Sequence, residues 1–216
     1  MNKISCRSIT NPECSYKFAF MQRIAFFDFD GTITTRDTFL EMIKFRKGKF
    51  WFYAGMIINT PALVAYKLGI ISNQQAKQQV MRFFFGGETT TAFRENCDRF
   101  AIAVLPGMIR PKAQKEIANL LEKGTEVVIV SASAESWIKK WTDKYGLQLI
   151  ATLLEESDGC ITGKISGKNC HGEEKVSRIK ARYNLAEFDE IYCYGDTAGD
   201  RPMLALGKIS FYKPFR

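Results

Sequence analysis

The stretch "IAFFDFDGTIT", Ile24 to Thr34, decides how the rest of the chain is read. Four apolar residues have the length and character of a strand buried on both faces, and they lead directly into Asp28, Asp30, Gly31 and Thr32. A buried carboxylate pair is costly unless something uses its charge, so the strand end is a candidate site. Gly31 permits the tight turn that brings Asp30 back over the strand.

Two more runs share this design. "EVVIVSA" and "EIYCYGD" are short, β-branched or aromatic, and end in small or polar residues, so they read as further parallel strands. Helical patterns lie between them. "IRPKAQKEIANLLEKG" spaces Ile117, Leu120 and Leu121 on one face and stops at Gly124, and "SWIKKWTDKYG" stops in the same way at Gly146. Alternation of strand and helix implies a doubly wound α/β, Rossmann-like parallel sheet. "ATLLEESDGCITGKISG" breaks that rhythm, and its Asp158-Gly159 step predicts a β-hairpin. "KISFYK" is the last strand candidate.

Residues 37–103 do not follow the alternation. They are helical in period or simply apolar, with Ser72 as an N-cap candidate, and Pro106-Gly107 marks the return to the sheet. The expected organisation is a core of residues 21–36 and 104–216 with an inserted helical cap domain at 37–103. Residues 1–20 lack the apolar run and cleavage pattern of a secretory signal, and are expected to be an extension with little function.

With 216 residues the chain can bury roughly 70% of its unfolded surface, enough for one domain with an insertion. At 46% apolar and 25% charged residues it belongs with globular proteins, not collagen-like or disordered ones. Six scattered cysteines show no C-x-x-C, which fits reduced thiols in a cytoplasmic protein. The net charge of +8 favours anionic partners: phosphoesters, nucleic acid or an acidic membrane face. No nucleic-acid motif accompanies it.

Ligand crevices of open α/β sheets lie beyond the carboxyl ends of the strands. Three strand ends here carry polar clusters: Asp28 with Asp30, Ser131, and Asp196 with Asp200. Lys175 begins the helix before the third of these strands and can face the same crevice. Such a crowd of carboxylates needs a hard cation and a lysine to neutralise it, and Mg²⁺ with a phosphate substrate suits oxygen ligands. Asp28 is then a nucleophile that forms an aspartyl-phosphate, and Asp30 is the acid that protonates the leaving oxygen and the base that activates water. Ser131 and the next backbone N–H, that of Ala132, would hold phosphate oxygens, with Lys175 offsetting charge.

"DFDGT", "VVIVSAS", Lys175 and "GDTAGD" together resemble the four motifs of the haloacid dehalogenase superfamily of phosphohydrolases, over about residues 22–204. The helical insertion is similar to the cap of the phosphoserine phosphatase-like branch. The resemblance implies Mg²⁺ held by the Asp28 carboxylate, the Asp30 carbonyl and Asp196, with Asp200 in support. It also places Asp37 where phosphoserine phosphatases carry a glutamate that reads the substrate amine. No cap arginine matches theirs, and Asp30 argues against a true dehalogenase.

The cap has a second feature. Phe50 to Ile71 carries Lys67 as its only charge, follows the basic run "KFRKGK", and is broken midway by Asn59, Thr60 and Pro61. It reads as two short apolar helices joined by a bend, forming a cap core or lying in a membrane interface. The segment and "CHGEEKV" are similar to phosphatidylglycerophosphatase C, which implies a lipid phosphate substrate at the inner membrane face as the alternative to a small-molecule phosphoester. Phe83, Phe84 and Phe85 are expected in the cap core. His171 reads as a loop residue without partners at zinc spacing.

Overall fold

The computed structural model describes residues 21–216. The expected extension at 1–20, with Cys6 and Cys14, lies outside the described residues. A six-stranded sheet has the order β4-β3-β2-β1-β5-β6, formed by β1 (Arg23–Phe27), β2 (Glu126–Ala134), β3 (Gln148–Ser157), β4 (Cys160–Ser166), β5 (Glu190–Gly195) and β6 (Ile209–Tyr212). All neighbours are parallel except β3 and β4. The strand order reverses at β1, which lies between β2 and β5, so the crevice expected of a doubly wound sheet opens at its carboxyl end.

Strand alternation sorts the core into two layers. Ala25 and Phe27 point into one apolar cluster, and Ile24 and Phe26 into the other, with all four fully buried. The first layer meets α5 (Pro111–Glu122) and α6 (Glu135–Lys144), and the second meets α7 (Glu173–Arg182) and α8 (Arg201–Leu204). Phe27 also stacks on Tyr194 of β5 at 4.0 Å between ring centroids.

Four helices follow β1 before the chain returns to the core at α5: α1 (Thr38–Ile58), α2 (Thr60–Lys67), α3 (Asn73–Phe85) and α4 (Thr90–Ala103). The bend at Asn59 to Pro61 falls where the sequence places it. A second break was not read from the sequence: Gly48, at φ 82° and ψ 162°, divides α1. Ser72 caps α3 in a capping box with Gln75. Phe84 and Phe85 are buried as expected, whereas Phe83 is half exposed, because α3 turns that side away from its neighbours.

Asp158 and Gly159 both take positive φ, as a type I′ hairpin turn requires. The hairpin does not stand apart from the sheet, since β3 continues it beside β2. The outer edge of β4 is covered by α3. Gln78 accepts from Ile165 N at 2.8 Å, and Gln74 accepts from Asn169 N at 3.0 Å just beyond the strand. Gly163 allows this approach, for a Cβ there would strike the Arg82 backbone.

Candidate active site

Asp28 leaves β1 buried, and its N–H donates to the Tyr194 carbonyl at 2.9 Å, which ties it to the end of β5. The chain then turns tightly, with Ile33 N and Thr34 N both donating to the Phe29 carbonyl. Gly31 sits at φ +84°, and a Cβ would stand 2.6 Å from Asp196 Oδ2. Glycine is thus needed for both the backbone angle and the approach of the third strand's carboxylate.

Lys175, at the start of α7, is buried and donates to Asp28 Oδ1 at 2.5 Å and Asp200 Oδ1 at 2.8 Å. Burial works to lower its pKa, but the two carboxylates outweigh it and hold the ammonium above the ordinary lysine range. Burial raises Asp28 to about 7 against the pull of Lys175, with Asp200 and Asp30 adding to the rise. One ammonium between two carboxylates does not satisfy both. Asp200 keeps the better share, because its other oxygen accepts from Thr197 N at 2.9 Å and Thr197 Oγ1 at 2.7 Å. Burial opposes this, but Lys175 and the Thr197 bonds leave its pKa low.

Thr32 Oγ1 lies 3.0 Å from Asp28 Oδ2 and 3.2 Å from Asp196 Oδ1, so one hydroxyl proton serves two carboxylates. Arg216 pairs with the other oxygen of Asp196. Carboxylate oxygens of Asp28, Asp196 and Asp200 lie within 4.8 Å of one another, all three buried. Such an all-oxygen, anionic cluster fits a hard divalent cation such as Mg²⁺.

Asp30 points away from this cluster. Its Oδ1 accepts from Thr38 N at 2.7 Å and its Oδ2 from Ser133 Oγ at 2.6 Å, so the carboxyl is held between β2 and the first turn of α1. Ser131 is fully buried one layer behind the cavity wall, where its hydroxyl accepts from Ser133 N at 3.0 Å. Ala132 and Ser133 form the wall itself.

The cavity above the strand ends has a volume of about 330 Å³. Asp28, Asp30 and Lys175 lie at its base, and Leu40, Met56, Leu63 and Val80 give it an apolar side. Asp37 caps α1 by accepting from Leu40 N at 3.0 Å. Burial, then Asp30, raises its pKa. Lys77 of α3 reaches across to donate to the Ala132 carbonyl at 2.6 Å; burial lowers its pKa, opposed by Asp30 and Asp37. His171 does reach the cavity, from the loop before α7, and burial followed by Lys175 keeps its pKa low.

The sequence reading missed Lys77, Ser133, Thr32, Asn169 and Arg216. Ser133 and Thr32 stand within the quoted motifs and were legible by position. Lys77 stands in "QQAKQQ", where it looks like one more solvated residue of a polar helix face. Asn169 and Arg216 reach the site only through tertiary packing.

A doubly wound sheet with a strand-end carboxylate cluster of this kind fits a hydrolase. The family model described as haloacid dehalogenase-like hydrolase matches residues 25–205, and the chain belongs to that family. It is 35% identical over 192 residues to Protein CicA of Caulobacter vibrioides, covering 88% of this chain and 85% of that one. It is 29% identical over 102 residues to phosphoserine phosphatase of Streptococcus thermophilus, covering 45% of this chain and 47% of that one. A crystal structure of a protein of unknown function from Bordetella pertussis Tohama I superposes with a TM-score of 0.76 at 24% identity, covering 88% and 89% of the two chains.

Proposed function

We propose that this chain is a Mg²⁺-dependent phosphomonoester hydrolase working through an aspartyl-phosphate on Asp28, with α1–α4 as a cap over the site. The observation that carries the reading is the buried Asp28–Lys175–Asp200 cluster with Asp196 beside it and Asp30 held apart. Asp28, ionised, attacks phosphorus, and the phosphorus–oxygen bond to the leaving group breaks. Asp30 lies beside Asp28 yet is held by Ser133 and Thr38 N, so it can deliver a proton to the departing alkoxide. It then takes a proton from the water that attacks the aspartyl-phosphate and releases inorganic phosphate.

Lys175 offsets charge on Asp28 and on the transferring group, while the Ala132 N–H at the cavity wall binds a phosphate oxygen and the Ser131 hydroxyl behind it holds that wall through Ser133 N. The Asp28 and Asp196 carboxylates and the Asp30 carbonyl would hold Mg²⁺, with Asp200 in support, and the ion supplies neutralisation of the phosphoryl charge. Asp37 faces the leaving group. The cavity gives that group an apolar wall, and this favours a second reading, a lipid phosphate as substrate, over a fully polar ester. No helix among the described residues is long and apolar enough to cross a membrane; the proposed location is the cytoplasm or the periphery of the inner membrane face.

The test is phosphate release from an aryl phosphate, with Mg²⁺ and with chelator, for wild type and Asp28→Asn. Release should require Mg²⁺ and fall by about 10⁴-fold or more in the variant, the loss typical of a removed nucleophile. Release that survives Asp28→Asn overturns the assignment.

A further inference from the structure

We propose that the outer face of the α1–α2 pair is a docking surface for an anionic lipid bilayer; what the enzyme would do there rests on the phosphomonoester hydrolase reading. Beyond the break at Gly48, Phe50, Trp51, Ile57 and Ile58 point outward from α1, and Leu68 and Ile70 follow α2. Each of the six is 62–77% exposed. Single exposed apolar residues are ordinary, but a contiguous patch marks an interaction surface. Here the residues group: Ile57, Val64, Leu68 and Ile70 border one shallow groove, and two helical turns earlier on α1 the Phe50 and Trp51 rings pack edge to face at 5.6 Å.

Charge selects the occupant. Residues 42–87 contain no aspartate or glutamate and seven lysines or arginines. Lys44 and Arg46 pair with Glu41 and Glu88 at the two ends of this stretch, and Lys77 points into the cavity. Lys47, Lys49 and Lys67 meet no carboxylate among the described residues. Exposed apolar side chains rimmed by cations of one sign match an anionic headgroup layer. A second copy of this chain would bring the same lysines against each other, which disfavours self-association through this face. Trp51 and Tyr53 add the aromatic character of a membrane interface.

The opposite side of the same helix pair lines the cavity, through Met56, Leu63 and Tyr66. A helix is about 10 Å across, so a bilayer seated on the outer face would lie within one helix thickness of the substrate cavity. The occupant and the site are therefore coupled: a phosphomonoester anchored in that bilayer is presented at the apolar wall.

Flotation of the full chain with phosphatidylcholine vesicles, with and without phosphatidylglycerol, tests this. Three unpaired lysines should favour anionic vesicles by up to about a hundredfold, with the preference lost in high salt. Trp137 and Trp141 are buried, so a blue shift of tryptophan emission on binding should come from Trp51 and vanish in Trp51→Phe. The double variant Ile57→Asp, Ile58→Asp alters only exposed positions; it should lose vesicle binding at least about tenfold and keep aryl phosphate hydrolysis. Failure of the wild type to float with anionic vesicles overturns the proposal. So does a Trp51 shift that follows protein concentration without vesicles, since that assigns the face to a second copy. Vesicle binding without any hydrolysis supports docking and sinks the hydrolase reading instead.

Discussion

The floor of the cavity and its roof handle charge in opposite ways. On the floor, Asp28, Asp196 and Asp200 are buried within 4.8 Å of one another, and Lys175 and Thr32 are shared between them. In the roof, α1–α3 turn apolar side chains to the cavity and send down a single cation, Lys77. On the proposed function, the floor carries the reaction at one point and the roof chooses what reaches it.

The largest expected effect belongs to the floor. Lys175→Met removes the ammonium that two buried carboxylates share, and breaking a buried pair from one side costs about 3–5 kcal/mol. Chemical denaturation without Mg²⁺ should show that loss at neutral pH. It should shrink on adding Mg²⁺ or lowering the pH, both of which relieve the carboxylates. A variant as stable as wild type would mean the floor tolerates charge far better than its burial implies.

Asp28 gives the floor a pH signature. Its pKa is raised to about 7, so the proton-bearing form is favoured on folding. The stability this adds is full below the unfolded value of 3.8 and is lost as pH rises through about 7. A cation that binds the carboxylate must displace that proton. Without phosphate, apparent Mg²⁺ affinity, followed by the rise in Tm, should therefore climb by up to about tenfold per pH unit and level off above about pH 7. Asp28→Asn should flatten the curve. An equally steep curve in that variant would assign the proton to another group.

Where floor and roof join, the expected effect is smaller. Gly163 stands at φ +79° against the Arg82 backbone, and an added methyl must push α3 from β4. Gly163→Ala should cost about 1–3 kcal/mol in thermal or denaturant unfolding. The same change at Gly159, where nothing stands within 4 Å, meets only the backbone angle and should cost less. Equal losses at both positions would show that α3 does not hold the edge of β4.

The same contrast explains what could be read in the sequence. The floor was legible because each strand end writes its chemistry in a short string: Asp28 to Thr32, Ser131 to Ser133, Asp196 to Asp200. Local spacing fixes where those side chains go once the strands are parallel neighbours. The hairpin at Asp158-Gly159 was legible for the same reason. The roof was not, because Lys77 lies in a polar helix segment and becomes a cavity residue only when α3 packs on β4. Gly48 escaped for a related reason: a lone glycine in a helical pattern does not announce a break. Arg216 meets Asp196 across 20 residues of sequence with no motif to signal it.

Lys77 offers the finest test of the contrast. It belongs to the roof by sequence, yet it donates to Ala132 of the floor and lies 5.6 Å over the Phe39 ring. Lys77→Met keeps the length and apolar stem of the side chain, so packing between α3 and the wall should survive. What it removes is the cation that α3 brings to the cavity. If that cation orders the roof or meets the substrate, KM for the natural ester should rise about tenfold, equivalent to about 1.4 kcal/mol, with kcat little changed. Burial lowers the Lys77 pKa, opposed by Asp30 and Asp37, so wild-type affinity should weaken at a lower pH than an ordinary lysine would produce. The variant should show no such fall. A loss in kcat with KM unmoved would place Lys77 with the floor, acting on the transferring phosphoryl group.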